Sequence, residues 1–536
     1  MFSESTLIQQ IIFQKRGGRM FKRVFSAGIS GVEAYIVEVE VDLSDGLPGF
    51  EMVGTLTQEV REARERVKTA LKNLGFTLPA KKVTVNLSPA NVRKEGCGFD
   101  LPIAVAVLAA MGYISDEELG KTVFSGEVSL DGTIRPVRGV LSLSDQAKKN
   151  GFARFITAEE NVAEAAAIGG IQAAGARDLL ELVEWLNYPE RITVYTDYGN
   201  ETVRKNAHVL DFSDVRGQLI VKRAAEVAAA GMHNLLLIGP PGSGKTMIAS
   251  RIPTILPGLS GEEQIEITKL HSICGLLPSG EALMNERPFR APHHTVTSTA
   301  LTGGGRIPRP GEISLAHGGV LFLDELPEFR RETLEALRQP LEEGKVVVSR
   351  LQASWVFPAE IMLVAAMNPC PCGYYPDRNQ CNCREREIHR YLSHISRPIL
   401  DRIDLCVEAP KISYEELAGT RGKKEGEETS EQIRERVERA RARQLKRFEG
   451  TQIRFNSQIP ASETKNYCSL GKKAEGMMRR IFKQMNLSAR GYHRILRVAR
   501  TIADLAGEES ISLAHLGEAI CYRGVEEKYW GGGDAV

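Results

Sequence analysis

Ala34 to Leu43 is rich in β-branched residues that alternate with acidic ones from Val37 onward, and this period of two predicts a strand. The period changes over Glu59 to Gly75. There Val60, Ala63, Val67, Ala70, Leu71 and Leu74 form one stripe, which predicts an amphipathic helix. Val83 to Leu87 reads as a short strand and Leu101 to Gly112, apolar on all sides, as a buried helix. Val123 to Val140 reads as a hairpin with Asp131-Gly132 at its turn. Helical and strand patterns continue to about Leu186 and give way to a polar stretch, Asn187 to Asn206. Beyond it, helical patterns alternate with three apolar runs, Leu235–Gly239, Val320–Asp324 and Ile361–Met367. Such runs predict parallel strands buried on both faces. This region ends near Pro410. Gly419 to Ser430, rich in glycine and charge, reads as a linker, and the last hundred residues are helical in pattern. The predicted organisation is a flexible extension over 1–19, a first domain over 20–190, an α/β domain over 200–412 and a helical domain over 430–530.

The 536 residues leave room for about three domains. Lys and Arg total 69 against 68 Asp and Glu, a net charge of +1, so any nucleic-acid binding must come from local patches. The longest apolar run, Leu101 to Ile114, falls short of the ~20 residues that a membrane span needs. At the N-terminus the basic residues follow the apolar ones, the reverse of a secretory signal. Nine cysteines are too few for a disulfide scaffold. The expected location is the cytoplasm, with no membrane partner.

Gly239-Pro240-Pro241-Gly242-Ser243-Gly244-Lys245-Thr246 fits G-x-x-x-x-G-K-[ST], after an apolar strand and before a helical pattern. The glycines let backbone N–H groups turn inward around phosphates, at a helix N-terminus that carries partial positive charge. Lys245 is the expected partner of the β- and γ-phosphates of ATP, and Thr246 of Mg²⁺. Val320-Leu-Phe-Leu-Asp324-Glu325 is an apolar strand ending in two carboxylates. Asp324 is expected in the Mg²⁺ shell and Glu325 as the base for the attacking water. A third apolar strand ends in Asn368, placed for the γ-phosphate or the water. In Leu400-Asp401-Arg402-Ile403-Asp404, Arg402 is a candidate arginine finger acting on a neighbour's nucleotide, or simply a partner of the flanking aspartates. Arg490 and Arg494 are alternative candidates for a second arginine at the γ-phosphate.

Cys370, Cys372, Cys381 and Cys383 fall within fourteen residues as two C-x-C pairs. Four thiolates at this spacing close a tetrahedral Zn²⁺ site of structural type, and an iron–sulfur cluster or no metal are the alternatives.

The phosphate loop, VLFLDE, MNPC and LDRIDL together resemble AAA+ ATPases of the magnesium-chelatase-like group. GLPGFEMVG, RKEGCGFDLPIA, SGEVSLDGTIRPVRGV, RPFRAPHHTVTSTALTGGG and RPGEISLAHGGVLFLDELPEF bring the resemblance closer, to the ComM/YifB family. The motifs span about Met20 to Arg500. The resemblance implies a P-loop AAA+ parallel sheet with a C-terminal helical lid. It also implies an N-terminal α+β domain like the Lon protease domain, of the ribosomal S5 domain 2-like fold. Lon's catalytic Ser and Lys fall at Asp100 and Leu141, so no proteolysis is expected. The resemblance further implies a homo-hexamer and an ATP-driven DNA helicase of branch-migration type, linked to recombination of incoming DNA. It places a channel-facing hairpin at Lys345 to Phe357, with Arg350 near its tip as a DNA contact. Phe289 to Arg309 is a candidate second channel loop, with Arg290 and Arg306 as contacts. Adjacent His293 and His294, on a strand, would point apart. Lys472 to Arg500 holds nine Lys and Arg against one acid, a density that suits phosphates. The alternatives are a magnesium-chelatase-type motor subunit and an ATPase that remodels a protein partner.

Overall fold

The computed structural model describes residues 21–196, 210–278, 281–305, 308–350, 354–411 and 428–530. The expected 1–19 extension, most of the 419–430 linker and Arg306 lie outside them. Two compact units result. The first takes in the chain up to Val203 together with Gly261–Asn285, and the second holds Arg204–Ser260 and the chain from Glu286 onward.

The first unit is built on a seven-stranded mixed sheet. Its strands are β1 (Phe21–Ser30), β2 (Glu33–Ser44), β3 (Gly49–Val53), β4 (Lys82–Ser88), β5 (Thr122–Phe124), β8 (Arg154–Ala158) and β9 (Gln172–Ala176), with β6 (Glu127–Val128) and β7 (Ile134–Arg135) forming a separate hairpin. The order is β3-β4-β2-β1-β5-β8-β9. The alternation in β2 buries Val37, Val39, Val41 and Leu43 on one face. Against that face lie the stripe of the helix Gln58–Asn73 and the helix Asp100–Ala110, every residue of which is buried. The hairpin is shorter than expected. Val123 and Phe124, apolar and fully buried, join the main sheet between β1 and β8 instead of pairing across the Asp131-Gly132 turn.

The segment 261–285 departs from the expected domain division. Its helix Gly261–Cys274 buries Ile267 and Leu270 and packs on the helix Val140–Lys149. Lys269 Nζ meets Asp145 at 2.6 Å, the Ser272 hydroxyl donates to Glu164, and Gly139 N–H donates to Ser272 Oγ at 2.9 Å. Glu164, on a helix more than a hundred residues earlier, is the buried acceptor that holds this piece in the first unit.

At the positions aligned with Lon's dyad, Asp100 accepts from Arg66 Nε at 2.7 Å and NH2 at 2.9 Å, and Leu141 is fully buried. Burial, reinforced by Glu127, pushes the Cys97 thiol up to about 12. No activated nucleophile results.

The second unit carries five parallel strands in the order β11-β14-β17-β10-β18: β10 (Leu235–Ile238), β11 (Phe289–Arg290), β14 (Val320–Leu323), β17 (Met362–Met367) and β18 (Leu405–Glu408). Short pairs β12 (Gly303–Gly304) with β13 (Arg309–Pro310), and β15 (Lys345–Ser349) with β16 (Ser354–Pro358), stand apart from this sheet. Helices Ser430–Arg447, Lys472–Gln484, Ala489–Ala506 and Leu513–Trp530 follow. Ile495, Val498 and Ile502 join Leu235, Leu237 and Val364 in one apolar core, so the C-terminal helices and the sheet fold as a unit. Among the described residues no helix is long and apolar enough to cross a membrane.

Candidate active site

Strand register assembles the site. Ile238 lies beside Met367 and Leu323 beside Ala365, so Gly239, Asp324 and Asn368 leave the parallel sheet at one edge. The C-terminal edge of such a sheet is where ligands bind. Gly242 and Gly244 adopt φ of +75° and +79°, which favours glycine and curls the loop. A side chain at Gly239 would put its Cβ 2.2 Å from the Ala409 carbonyl oxygen, so the loop passes β18 with no room to spare.

Lys245 Nζ donates to the carbonyls of Gly239 at 2.8 Å and Pro240 at 2.9 Å, and to Asn368 Oδ1 at 3.2 Å. Burial lowers the Lys245 pKa, while the charges of Asp324 and Glu325 oppose the shift. The Thr246 hydroxyl donates to Asp324 Oδ2 at 2.6 Å, and Glu325 N–H donates to Asp324 Oδ1 at 2.9 Å. Hydroxyl and carboxylate are thus side by side, the oxygen donor set that Mg²⁺ takes. Glu325 turns out of the strand in the left-handed region, φ +51°, which frees its carboxylate from the Asp324 pair. Cost and placement agree with a functional residue: a non-glycine residue there carries strain of about 1–3 kcal/mol.

Two residues of this site were not read from the sequence. Gln218, also left-handed at φ +58°, donates from its buried side-chain amide to Ser243 O at 2.9 Å and Pro410 O at 2.8 Å, bracing the phosphate loop. The second is His294, whose Nδ1 lies 3.5 Å from Glu325 Oε2. His293 and His294 do not point apart. Val296 N–H bonds back to His293 O at 2.9 Å, so the segment turns, and the two rings lie tilted by 35° with centroids 4.0 Å apart. A strand pattern hid that turn.

Arg402 does not pair with its flanking aspartates. It meets Glu342, and it donates from Nε to Arg338 O at 3.0 Å and from NH1 to Pro398 O at 2.6 Å. Asp401 pairs instead with Arg494 at 3.3 Å, and Asp404 accepts from Asn234 N–H at 3.0 Å. Arg494 is 5% exposed and also donates to the Leu400 and Ile403 carbonyls, so it anchors the Arg402 segment to the lid. Arg490, one turn earlier, keeps a side chain 61% exposed and meets Glu342 at 2.8 Å. Of the two lid arginines, the structure leaves Arg490 accessible to a phosphate.

The four cysteine sulfurs lie within 4.8 Å of one another. Cys370 Sγ is 3.3 Å from Cys372 and 3.8 Å from Cys381, and Cys372 is 3.6 Å from Cys381. A tetrahedron with Zn–S bonds of about 2.3 Å has edges of ~3.8 Å, so the donor set fits zinc. Burial pushes the Cys372 thiol up, but donors from the Tyr374 backbone and from Cys370 outweigh it and bring it down to about 6. Gly373, at φ +86°, could not carry a side chain, because its Cβ would stand 2.4 Å from Pro241 Cδ. The cysteine loop therefore packs on the phosphate loop.

The expected DNA contacts divide. Arg350, exposed at the end of the β15–β16 hairpin, donates from NH2 to Gly305 O at 3.2 Å, which brings the two candidate channel segments together. Arg290 lies on β11 and pairs in bidentate fashion with Glu312 at 2.7 and 2.8 Å, so its charge is already matched. The basic lid stretch divides as well. Arg494 and Arg500 are buried at 5% and 3% exposure, while Lys472, Lys473, Arg479, Arg480, Lys483 and Arg490 remain outside. A helix with one buried face turns part of its charge inward, onto carbonyls and Asp504.

Known proteins match most of the chain. Family models match over residues 211–417 (magnesium chelatase, subunit ChlI), 39–161 (subunit ChlI of Mg-chelatase) and 427–523 (the ChlI C-terminal region). The Haemophilus influenzae competence protein ComM is 44% identical over 506 residues, covering 93% of this chain and 97% of that protein. The chain belongs to the ComM/YifB family of magnesium-chelatase-like AAA+ proteins. YifB of Escherichia coli K12 is 43% identical over 92% of the chain and 96% of its own length. The magnesium-chelatase 67 kDa subunit of Chlorobaculum parvum is 26% identical over 163 residues, 30% of this chain and 24% of that subunit. Within the family, a match to a ChlI model in the first unit means that this unit does not by itself separate the chain from chelatase subunits.

Proposed function

We propose that the chain is an ATPase that works as a homo-hexameric motor on DNA in the cytoplasm, of helicase or branch-migration type. The observation that carries the ATPase reading is the convergence of Lys245, the Thr246–Asp324 pair, Glu325 and Asn368 on one sheet edge. Phosphoryl transfer needs little beyond positioning and charge stabilisation, and these groups supply both. Gly239 to Thr246 would cradle the phosphates, Thr246 and Asp324 would hold Mg²⁺, and Glu325 would deprotonate water. Arg402 and Arg490 would add positive charge at the transferred phosphate, both from a neighbouring subunit. The DNA reading rests on kinship with the competence protein and on the Arg350 hairpin meeting the 289–305 segment.

Arg350 would touch phosphates and read no base edges. Arg350→Ala should weaken DNA binding alike across sequences and flatten the plot of log affinity against log salt by roughly one unit, the loss of one phosphate contact. Fluorescence anisotropy on forked duplexes at several salt concentrations measures this. An unchanged slope would reduce the hairpin to surface. A chelatase-type motor or an ATPase remodelling a protein partner would show no salt-steep affinity for forked DNA in the wild-type chain.

The cysteine loop would hold one structural Zn²⁺. Structural zinc sites contribute apparent binding energies of about 10–16 kcal/mol, far more than so short a loop could gain from apolar burial. Cys381→Ser should therefore lose the metal and loosen the chain after Asn368. Through Gly373 and Pro241 it should also weaken nucleotide binding. Elemental analysis of purified protein should find about one zinc per chain; iron, or no metal, would overturn the assignment.

A further inference from the structure

Glu342 sits on the exposed side of the short helix Arg338–Glu343, outside every motif of the nucleotide site. Its carboxylate nonetheless joins two of the residues that site requires. Oε2 takes Arg402, and Oε1 takes Arg490 NH2 at 2.8 Å. The two arginines come from segments 88 positions apart in the chain, and only their fold brings them together. Two guanidinium groups that close repel each other, and a carboxylate between them offsets the repulsion. Arg402 is further fixed by the carbonyls of Arg338 and Pro398, which uses three of its five N–H donors and leaves two. Arg490 has no such scaffold. With its side chain 61% exposed, its position depends on Glu342, its one ionic partner among the described residues. One turn along the same helix, Arg494 ties the lid to Leu400 and Asp401, which sets the Arg490 helix beside the Arg402 segment.

We propose that Glu342 is a positioning residue that holds Arg402 and Arg490 as one pair, so that both reach the same phosphate group. This rests on the ATPase reading above. It also means that the lid arginine and the finger serve one nucleotide together. Glu342 itself touches no substrate. The reverse role, in which Glu342 withholds the arginines until nucleotide displaces it, makes an opposite prediction.

The test uses full-length chain and steady-state ATP titrations. Glu342→Gln keeps shape and loses charge. It should lower kcat by about 10- to 100-fold, the scale of loss when a group is misplaced by about 1 Å, with KM for ATP little changed. Arg490→Ala should lower kcat in the wild-type background and add little in the Glu342→Gln background, since residues that act as a unit are non-additive. Thermal unfolding of each variant checks the fold, and the non-additivity survives any shared stability effect. Three results would overturn the proposal: kcat unchanged in Glu342→Gln, kcat raised, or Glu342 and Arg490 effects that multiply independently. A wild-type chain that hydrolyses no ATP would overturn the ATPase reading and this inference with it, whereas wild-type turnover with a silent Glu342→Gln overturns the inference alone.

Discussion

Glu325→Gln should leave ATP bound and cut its hydrolysis by about 10²–10⁴-fold, the usual cost of deleting a positioned general base. The substitution keeps the side chain's shape and removes its basicity. Nothing that holds the nucleotide changes: Lys245 keeps its place against Gly239, Pro240 and Asn368, and Thr246 keeps its 2.6 Å bond to Asp324. Glu325 shares no hydrogen bond with that pair through its carboxylate, which faces His294 instead. Binding and chemistry should therefore separate cleanly. Phosphate release read beside the affinity for a fluorescent nucleotide measures both. Turnover within a few-fold of wild type would take Glu325 out of its role, and lost binding would mean that it supports the loop.

The second large effect belongs to Arg402. An arginine finger contributes about 10³–10⁵ in rate, so Arg402→Ala should be almost inactive although its own phosphate loop is intact. Lys245→Ala should be inactive for the opposite reason, with a damaged loop and an intact arginine. If Arg402 serves a neighbour, mixed rings contain interfaces that pair the intact loop of one chain with the intact arginine of the other. Those interfaces should recover part of the activity, with a maximum at intermediate mixing ratios. Rings shown to be mixed that recover nothing at any ratio would contradict a finger in trans.

How much of this was legible in the sequence depended on the range of the interactions. Val320–Leu323 and Met362–Met367 are unbroken apolar runs, so burial on both faces was written in the residues themselves, and the glycines of 239–244 carry their own conformational reason. The four cysteines likewise announce their chemistry by spacing. β11, only Phe289–Arg290, is too short to show a period, and its place beside β14 comes from pairing. Gln218, His294 and Glu342 act through partners between 25 and 192 positions away, which no local pattern records. Positive charge was the least legible feature. Arg290, Arg494 and Arg500 look identical in sequence to Arg350 and Arg490, yet Glu312 pairs the first, and the Leu400 carbonyl and Asp504 turn the other two inward. The helix Gly261–Cys274 shows the same limit at domain scale, since the Ser272–Glu164 contact, not chain order, decides which unit it joins.

The measurement that bears most directly on the reading as a DNA motor is the steady-state ATPase rate of the purified wild-type chain with and without branched DNA, at low and at physiological salt. Hydrolysis should rise when forked or four-way junction DNA is added, with stimulation that weakens steeply as salt increases. A rate indifferent to DNA at low salt, from protein that does hydrolyse ATP, would contradict a DNA motor.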